Sequence, residues 1–164
     1  MKTIHAPWRI NYILGPKPDA CVFCLPHSTD EDEVRFVLCR AEHCFVIMNI
    51  FPYSNGHLMV TPYRHVSSIT ELTALECHEV MDYVQKSSFI LEQAFRPHGI
   101  NIGVNIGEAA GAGIREHLHV HLVPRWNGDH SFMAIMSETN VLPEHLRSTY
   151  ERLQPFFDNL QRQR

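Results

Sequence analysis

Three histidines occupy alternate positions in the short stretch HLHVHLV, namely His117, His119 and His121. Aliphatic side chains, Leu118 and Val120, fill the positions between them. Alternation with this period is typical of a half-buried β-strand, because successive side chains point to opposite faces of a sheet. We therefore expect the aliphatic side chains to face a core and the imidazoles to form an exposed or cleft-facing row. At about 3.3 Å per residue, the outer histidines of that row are about 13 Å apart.

Such a row of imidazoles is open to three interpretations. The rings could be structural or incidental. They could bind a catalytic metal, since zinc is often held by three histidines with an open fourth position, although strict alternation makes it hard for all three to reach one ion. The third interpretation is covalent catalysis, in which one imidazole nitrogen attacks an electrophile while its neighbours manage charge and protons.

Cysteines offer a second kind of chemistry near the start of the chain, where Cys21 and Cys24 form a Cys-x-x-Cys motif. This motif alone is compatible with redox chemistry, with metal binding or with neither. The chain has five cysteines, an odd number, and its first residues lack the apolar run of an export signal. We therefore expect reduced thiols and a cytoplasmic location.

The residues around these motifs predict an extended arm over residues 1–20, a polar loop over 28–33 and a set of short strands. Apolar runs separated by turn residues predict five strands, in VRFVLC and CFVIMNI as a hairpin around RAEH, then in HLMVTPYRH, GINIGVNIG and HLHVHLVPRW.

Two main helices complete the prediction. The first runs from about Thr73 to Phe95, because Thr73 and Glu76 can form a capping box and Pro97 stops the helix. The second is expected over about 143–158, with Pro143 in its first turn. The pattern predicts one α+β domain over 1–164, built on an antiparallel five-stranded sheet.

Composition limits the classes of partner. Apolar residues make up 45% of the chain and charged residues 20%, while the formal net charge is −4. This charge argues against a protein that binds nucleic acid through a basic face, and no stretch is apolar enough for a membrane helix. We expect neither nucleic acid nor membrane as a partner. An anionic ligand would have to be bound locally, by histidines and backbone N–H groups.

Four separated motifs together resemble one known family. HLHVHLV matches the pattern His-φ-His-φ-His-φ-φ, where φ is hydrophobic, of the histidine triad family of nucleotide hydrolases and transferases. MNIFPYSNGHLMVTPYRHV resembles the family's earlier signature, and NIGVNIGEAAGAGIREH resembles its glycine-rich approach to the triad. CVFC looks like the start of many microbial members. The resemblance runs from roughly Cys21 to Phe132, and it implies the family's fold with sheets joined side by side in a homodimer.

The resemblance also implies roles for four histidines. His119 would be the nucleophile that attacks the α-phosphorus of a nucleotide, with a backbone carbonyl on its other ring nitrogen. His121 would hold phosphate oxygens or protonate the leaving group. His57 would complete the phosphate pocket from the neighbouring strand, and His117 opens the triad. No catalytic cofactor is needed for this chemistry.

Further positions are implied to contact substrate. Asn49 matches the ribose-contacting asparagine of the family and Ile47 would pack on the base, while Asn105 would contact the phosphate chain or the second leaving group. The alternative for both asparagines is turn or strand-end capping. Backbone N–H groups of Gly111 and Gly113 could help to bind phosphate, or these glycines could serve only the turn.

The family also implies partners for the cysteine pair. Cys21 and Cys24, with His65 and His117, would make a closed Cys₂His₂ site for a structural zinc ion. At the other end of the resemblance, PRWNGDHSFM and PWRINYI are similar to segments of bacterial diadenosine tetraphosphate phosphorylase-like members. This branch implies cleavage of dinucleoside polyphosphates, with water or phosphate as the acceptor. A purine nucleoside phosphoramidase and a nucleotide-binding regulator with little turnover are the alternatives.

Overall fold

The computed structural model describes residues 21–26, 28–129 and 144–162. The chain forms an antiparallel five-stranded sheet in the order β1-β2-β3-β5-β4. The strands are β1 Val37–Arg40, β2 Cys44–Met48, β3 Leu58–Pro62, β4 Gly99–Val104 and β5 Val120–Arg125. The predicted α+β class and the antiparallel sheet are confirmed. The arm over 1–20 and Pro143 lie outside the described residues.

Strands β1 and β2 form the predicted hairpin, with Arg40 opposite Phe45. Strand β3 then pairs with β2 so that Ile47 lies opposite Met59. Strand β5 pairs with β3 and brings His121 opposite that same Met59. Ile47, Met59 and His121 therefore lie side by side in one row across β2, β3 and β5.

Within the described residues, the sheet is accompanied by three α-helices and by a short 3₁₀ helix over Ile69–Glu71. The long helix α2, Ala74–Phe95, begins with the predicted capping box, in which the side chains of Thr73 and Glu76 each accept the other residue's backbone N–H. It ends at Arg96, whose left-handed backbone (φ 48°) precedes the proline that was expected to stop it. The carboxyl-terminal helix α3, Leu146–Arg162, continues past the predicted end at residue 158 because Leu160 still packs against the core.

The polar run over 28–33 was expected to be a loop, and this prediction was partly wrong. A single helical turn, α1, covers Asp32–Arg35. Charged residues make the turn possible, since Arg35 pairs with Glu31 at 2.7 Å and Asp32 accepts two hydrogen bonds from Arg40 in β1. Polar composition alone did not show that these charges have partners close by.

The two faces of the sheet carry different layers. On one face, α2 and α3 cover the main core, in which Leu91, Leu153 and Phe157 are fully buried. The other face carries a smaller apolar cluster of Phe23, Val37, Phe45, Ile47 and Met59. The triad lies beside this second cluster, because His121 alternates with the core residues of β5. No helix within the described ranges is long and apolar enough to cross a bilayer.

Strand β5 is shorter than the alternation predicted. It begins at Val120, so His117 and His119 precede it. The ladder with β3 pairs Val60 with Val120 and would next join Pro62 to Leu118, but a proline has no N–H to donate. Leu118 instead donates its N–H to the carbonyl of Val66 at 2.6 Å.

The row of imidazoles was expected to be exposed or to face a cleft, and the structure excludes the exposed alternative. His117 is 1% exposed, His119 5% and His121 8%. Because the first two rings leave the straight strand, each of the three rings acquires partners of its own.

Candidate active site

The middle histidine has one ring nitrogen committed and the other available. Nδ1 of His119 lies 2.8 Å from the backbone carbonyl oxygen of His117, so Nδ1 carries the proton and donates it. Nε2 therefore keeps a lone pair. Phe23 packs against the ring with 4.9 Å between centroids. Burial lowers the pKa of His119, so the ring is neutral at pH 7 and can act as a nucleophile.

His57, which precedes β3, and His121 of the triad form a hydrogen-bonded pair. Nε2 of His57 lies 3.0 Å from Nδ1 of His121. The backbone N–H of Tyr53 donates to Nδ1 of His57 at 3.1 Å, so in the neutral ring the proton of His57 sits on Nε2. This proton is donated to Nδ1 of His121, and the remaining proton of His121 is consequently on its Nε2. One backbone amide thus sets the tautomers of two rings.

Both rings of this pair are held neutral. Burial, followed by the charges of His121 and His119, lowers the pKa of His57 to about 3. Burial and the charge of His119 lower the pKa of His121 to about 4. The ring of His121 stands nearly perpendicular to that of His119, with 4.7 Å between centroids. The nucleophile therefore lies next to a neutral N–H donor.

The residues expected to contact the nucleoside, Ile47 in β2 and Asn49 just after it, both have local partners. Oδ1 of Asn49 accepts the N–H of Phe51 at 2.9 Å, which is the capping role that the sequence left as an alternative. The backbone N–H of Asn49 donates to the carbonyl of His57 at 3.0 Å. Ile47 is only 7% exposed and packs in the cluster with Phe23. A nucleobase could therefore contact only the small exposed part of Ile47, at the edge of this apolar cluster.

The predicted phosphate-side residues lie after β4 and in the following loop. Asn105 is half-buried, one residue beyond the end of β4. Gly111 has a left-handed backbone (φ 81°) and donates its N–H to the carbonyl of Glu108 at 3.0 Å. The amide of Gly111 thus serves the turn rather than an open anion site. Gly113 is exposed on the same loop.

A partly buried polar cluster anchors the β2–β3 loop to helix α3, and no sequence pattern predicted it. The hydroxyl of Thr149 donates to Glu144 at 2.8 Å and lies 3.1 Å from Oδ1 of Asn55. Nδ2 of Asn55 donates to the same carboxylate at 3.2 Å, and Arg152 pairs with it at 2.6 Å. The anchor joins the loop two residues before His57. A residue separation of 94 between Asn55 and Thr149 explains why no local pattern could reveal it.

The cysteine pair meets two histidines, as the resemblance implied. Sγ of Cys21 lies 3.4 Å from Nδ1 of His117, and Sγ of Cys24 lies 3.3 Å from Nδ1 of His65. The four donor atoms all lie within 4.8 Å of one another. A tetrahedral zinc site with two thiolates and two imidazoles has distances between donors of about 3.4–3.8 Å. The donor set and its spacing therefore fit a metal ion such as zinc.

Hydrogen bonds to residues outside this cluster orient one of its imidazoles and hold the cysteine loop in place. Nε2 of His117 lies 2.8 Å from the carbonyl oxygen of Pro62 and donates to it, which leaves the Nδ1 lone pair directed at the thiols. Arg40 donates to the carbonyls of Pro26 and Ser28, at 3.0 and 3.2 Å, and so ties the residues that follow Cys24 to the sheet. The sequence reasoning missed this use of Arg40.

Comparison with known proteins gives consistent results. The HIT domain model matches residues 31–128. The chain is 38% identical over 159 residues to the protein named AP-4-A phosphorylase from Mycobacterium tuberculosis, with 91% of this chain and 80% of that relative covered. It is 29% identical over 139 residues to the bis(5'-adenosyl)-triphosphatase of Dictyostelium discoideum, with 81% of this chain and 91% of that relative covered.

Among solved structures, the fold is similar to that of a Zn-bound histidine triad family protein from Mycobacterium smegmatis. The TM-score is 0.67 at 23% identity, and the match covers 88% of this chain and 98% of that protein. The similarity supports the fold described above.

Proposed function

The chain belongs to the HIT domain family of nucleotide hydrolases and phosphorylases, and from that premise we propose that it cleaves dinucleoside polyphosphates such as diadenosine tetraphosphate. Cleavage occurs at the α-phosphate and passes through a nucleotidyl-histidine on His119. The observation that carries the proposal is the orientation of this ring, whose Nδ1–H is engaged by the carbonyl of His117 at 2.8 Å. Its Nε2 lone pair is the one nucleophilic atom that the ring can present.

In the first half-reaction, Nε2 of His119 forms a bond to the α-phosphorus. The bond from phosphorus to the bridging oxygen breaks, and its electron pair leaves with ATP when the substrate is diadenosine tetraphosphate. The Nε2–H of His121 donates to the phosphate oxygens or to the departing oxygen. Because this donor is neutral and buried, its hydrogen bond to a developing negative charge is stronger than it would be in water.

In the second half-reaction, an acceptor attacks the same phosphorus and breaks its bond to Nε2 of His119. Water as acceptor gives AMP, and inorganic phosphate gives ADP. The 38% identical relative is named a phosphorylase, which supports phosphate as the acceptor. Transfer chemistry of this kind depends mainly on positioning and on charge stabilisation, and the pairing of His57 with His121 at 3.0 Å supplies the positioning.

We also propose that Cys21, Cys24, His65 and His117 hold a structural zinc ion. With these four residues as ligands, the ion would have no open position for chemistry and would supply rigidity. Its effect on the reaction is indirect, since the carbonyl of His117 orients His119. The cytoplasmic location predicted from the sequence is kept as a proposal, because an odd number of cysteines, five, does not favour a disulfide framework.

We further propose a homodimer joined through β4. This strand lies at the edge of the sheet. Its residue Ile102 is 51% exposed, and Phe89 on α2 is 62% exposed. An edge strand beside exposed apolar side chains is suited to pairing with a second copy. Sedimentation velocity of the pure chain is expected to give the mass of two chains, and a single-chain mass at all concentrations would contradict the pairing.

The experiment that tests the reaction is an incubation of pure protein with diadenosine tetraphosphate, with and without inorganic phosphate, followed by separation of the products. ADP and ATP that appear only with phosphate identify a phosphorylase, and AMP and ATP without phosphate identify a hydrolase. His119→Asn is expected to lower kcat by about 10⁴-fold or more, since it removes the nucleophile. Rapid quenching in denaturant at alkaline pH, where a bond from phosphorus to an imidazole nitrogen is stable, should trap a nucleotidyl adduct on the wild-type chain alone.

The matched control is His78→Asn, because His78 is an exposed histidine on α2, away from the triad. It should retain full activity. Unchanged turnover in His119→Asn would refute the covalent mechanism. Absence of turnover in the wild-type chain would remove the polyphosphate branch, and adenosine phosphoramidates would then be the substrates to test.

A further inference from the structure

The four residues of the cysteine–histidine cluster differ in how far packing can hold them. His117 is buried and Cys21 is partly buried, whereas Cys24 and His65 are exposed. Sγ of Cys24 nevertheless lies 3.3 Å from Nδ1 of His65. An exposed side chain has fewer packed neighbours to fix it, so hydrogen bonds to the segment that carries it matter more.

One guanidinium contacts the segments of both exposed ligands. Nη1 of Arg40 donates to the carbonyl of Pro26 at 3.0 Å and Nη2 donates to that of Ser28 at 3.2 Å, on the segment after the cysteine pair. Arg40 also donates to the side chain of Tyr63, which lies two positions before His65. A single residue thus joins the two segments.

The guanidinium is itself fixed in orientation. Nε and Nη2 of Arg40 donate to the two carboxylate oxygens of Asp32 at 2.9 and 2.7 Å, which is the bidentate geometry of a specific arginine–carboxylate pair. The side chain of Arg40 is only 15% exposed and that of Asp32 20%. Because Arg40 belongs to β1, which pairs with β2, these bonds connect the exposed ligands to the sheet.

We propose that Arg40 is a positioning residue for the metal cluster, because its guanidinium fixes the segments that carry Cys24 and His65. This role rests on the proposed zinc site and adds to it a residue that raises the affinity without being a ligand. Ligands that are held in place before binding lose less conformational freedom when the ion arrives, so the ion is bound more tightly.

The planar shape of arginine is part of this role. Its five N–H donors point in fixed directions and here serve four separate groups, which are the side chains of Asp32 and Tyr63 and the carbonyls of Pro26 and Ser28. The three donors of a lysine share one nitrogen and cannot reach all of these groups at once.

The test measures zinc affinity by titration of the zinc-loaded chain with a chromophoric chelator. Arg40→Gln is expected to raise the Kd for zinc by about 10-fold, because both exposed ligands lose a tether. Arg40→Lys keeps the charge without the fork and should raise the Kd by a similar factor. The matched control is Arg35→Gln, since Arg35 is an exposed residue of α1 that pairs with Glu31 at 2.7 Å. Its Kd should equal that of the wild-type chain.

Tyr63→Phe is a milder variant that tests the tether to His65 alone. It keeps the ring, whose centroid lies 5.3 Å from that of Phe45, and removes only the hydroxyl. The Kd for zinc should rise by about 2- to 3-fold, because one hydrogen bond is lost. If Arg40→Gln does not fold, this variant decides the outcome, and an unchanged Kd would overturn the positioning role.

Denaturant unfolding of the same chains separates positioning from stability. A lower unfolding free energy of Arg40→Gln together with a wild-type Kd would show a purely structural residue and would overturn the positioning role, while the zinc site would stand. Full affinity in Arg40→Lys would also overturn it, because the charge alone would then be sufficient. A wild-type chain that binds no zinc when zinc is supplied would refute the zinc site and the positioning role together.

Discussion

The two ends of the triad show how identical side chains acquire opposite roles. At one end, His117 directs Nδ1 at Cys21 and Cys24, while its other nitrogen donates to a backbone carbonyl. At the other end, His121 meets His57, and a backbone amide sets the tautomer of both rings. Sulfur partners favour a metal ligand, whereas a neutral imidazole partner leaves an N–H donor beside the nucleophile. The role of each ring follows from what its second nitrogen contacts.

The two ends also differ in their openness. At the His117 end, the imidazole is 1% exposed, and Phe23 in the adjacent cysteine loop is 4% exposed. The His121 end is bordered by the half-exposed Tyr53. The proposed metal site and the proposed hydrogen-bond donor thus lie four positions apart along the chain, and His119 lies between them.

Among the substitutions that test the difference between the two ends, Cys24→Ser is expected to have the largest effect. Wild-type protein should carry one zinc ion per chain, and the variant should lose it together with about 3 kcal/mol or more of unfolding free energy, because a structural metal stabilises only the folded state. Activity should fall as well, since the carbonyl of His117 loses its fixed position. The measurements are metal content by mass spectrometry and denaturant unfolding.

Cys77→Ser is the matched control, because Cys77 is a partly buried thiol on α2 outside the cluster. It should retain both metal and stability. If the wild-type protein carries no metal and Cys24→Ser unfolds like it, the His117 end is an ordinary packed cluster and the comparison fails.

The His57–His121 pair should make stability depend on pH. The pKa values of the two rings are about 3 and about 4 when folded, below the value near 6.5 of an unfolded histidine. The unfolded chain therefore binds more protons between pH 6.5 and about 4. The free energy of unfolding should decrease as the pH falls through this window, by up to about 1.4 kcal/mol per pH unit for each ring.

Denaturant unfolding at pH 7, 6 and 5 checks this slope. His57→Gln should make the slope smaller, because one buried neutral ring is removed, whereas His78→Gln alters an exposed ring and should leave the slope unchanged. A slope that is the same in His57→Gln and wild type would show that the pair is not held neutral.

The smallest effect is expected from Thr149→Val, which loosens the His57 end without altering an imidazole. Thr149 is 1% exposed, and the substitution removes its hydroxyl. Asn55 thereby loses one hydrogen-bond partner. Unfolding free energy should fall by about 1 kcal/mol, with a loss of kcat of about 2- to 3-fold. Thr149→Ser keeps the hydroxyl and should restore both values. If Thr149→Val changes neither, the anchor does not stabilise the loop.

The sequence predicted the elements well where a local signal was strong. The capping box of Thr73 and Glu76 and the apolar period of α2 fixed that helix within a residue. The hairpin of β1 and β2 followed from two apolar runs and a polar turn. The start of β5 was wrong by three residues, because the missing N–H of Pro62 acts across the sheet rather than along the chain.

The sequence motifs named the histidines of the candidate site, but they predicted only some of the contacts between these residues and their neighbours. The motifs named His57, His119 and His121, and the structure brings them within hydrogen-bond or ring contact of one another. No role was predicted for Tyr53, whose ring centroid lies 4.7 Å from that of His57. The anchor on Thr149 had no local signal at all.

The sequence by itself determined which side chains could do chemistry and that they recur in strands, since residue type and period depend only on neighbours along the chain. For His117 and His121, only the tertiary structure decided which ring nitrogen carries the proton, whereas the partner of His119 is the carbonyl of His117, two residues away. The partners that settle this are the carbonyl of Pro62, the thiols of Cys21 and Cys24, and the ring of His57, which lie 55 to 96 residues away from their histidines. A tautomer is set by the hydrogen bond made at the other nitrogen, and that bond exists only once distant strands have paired.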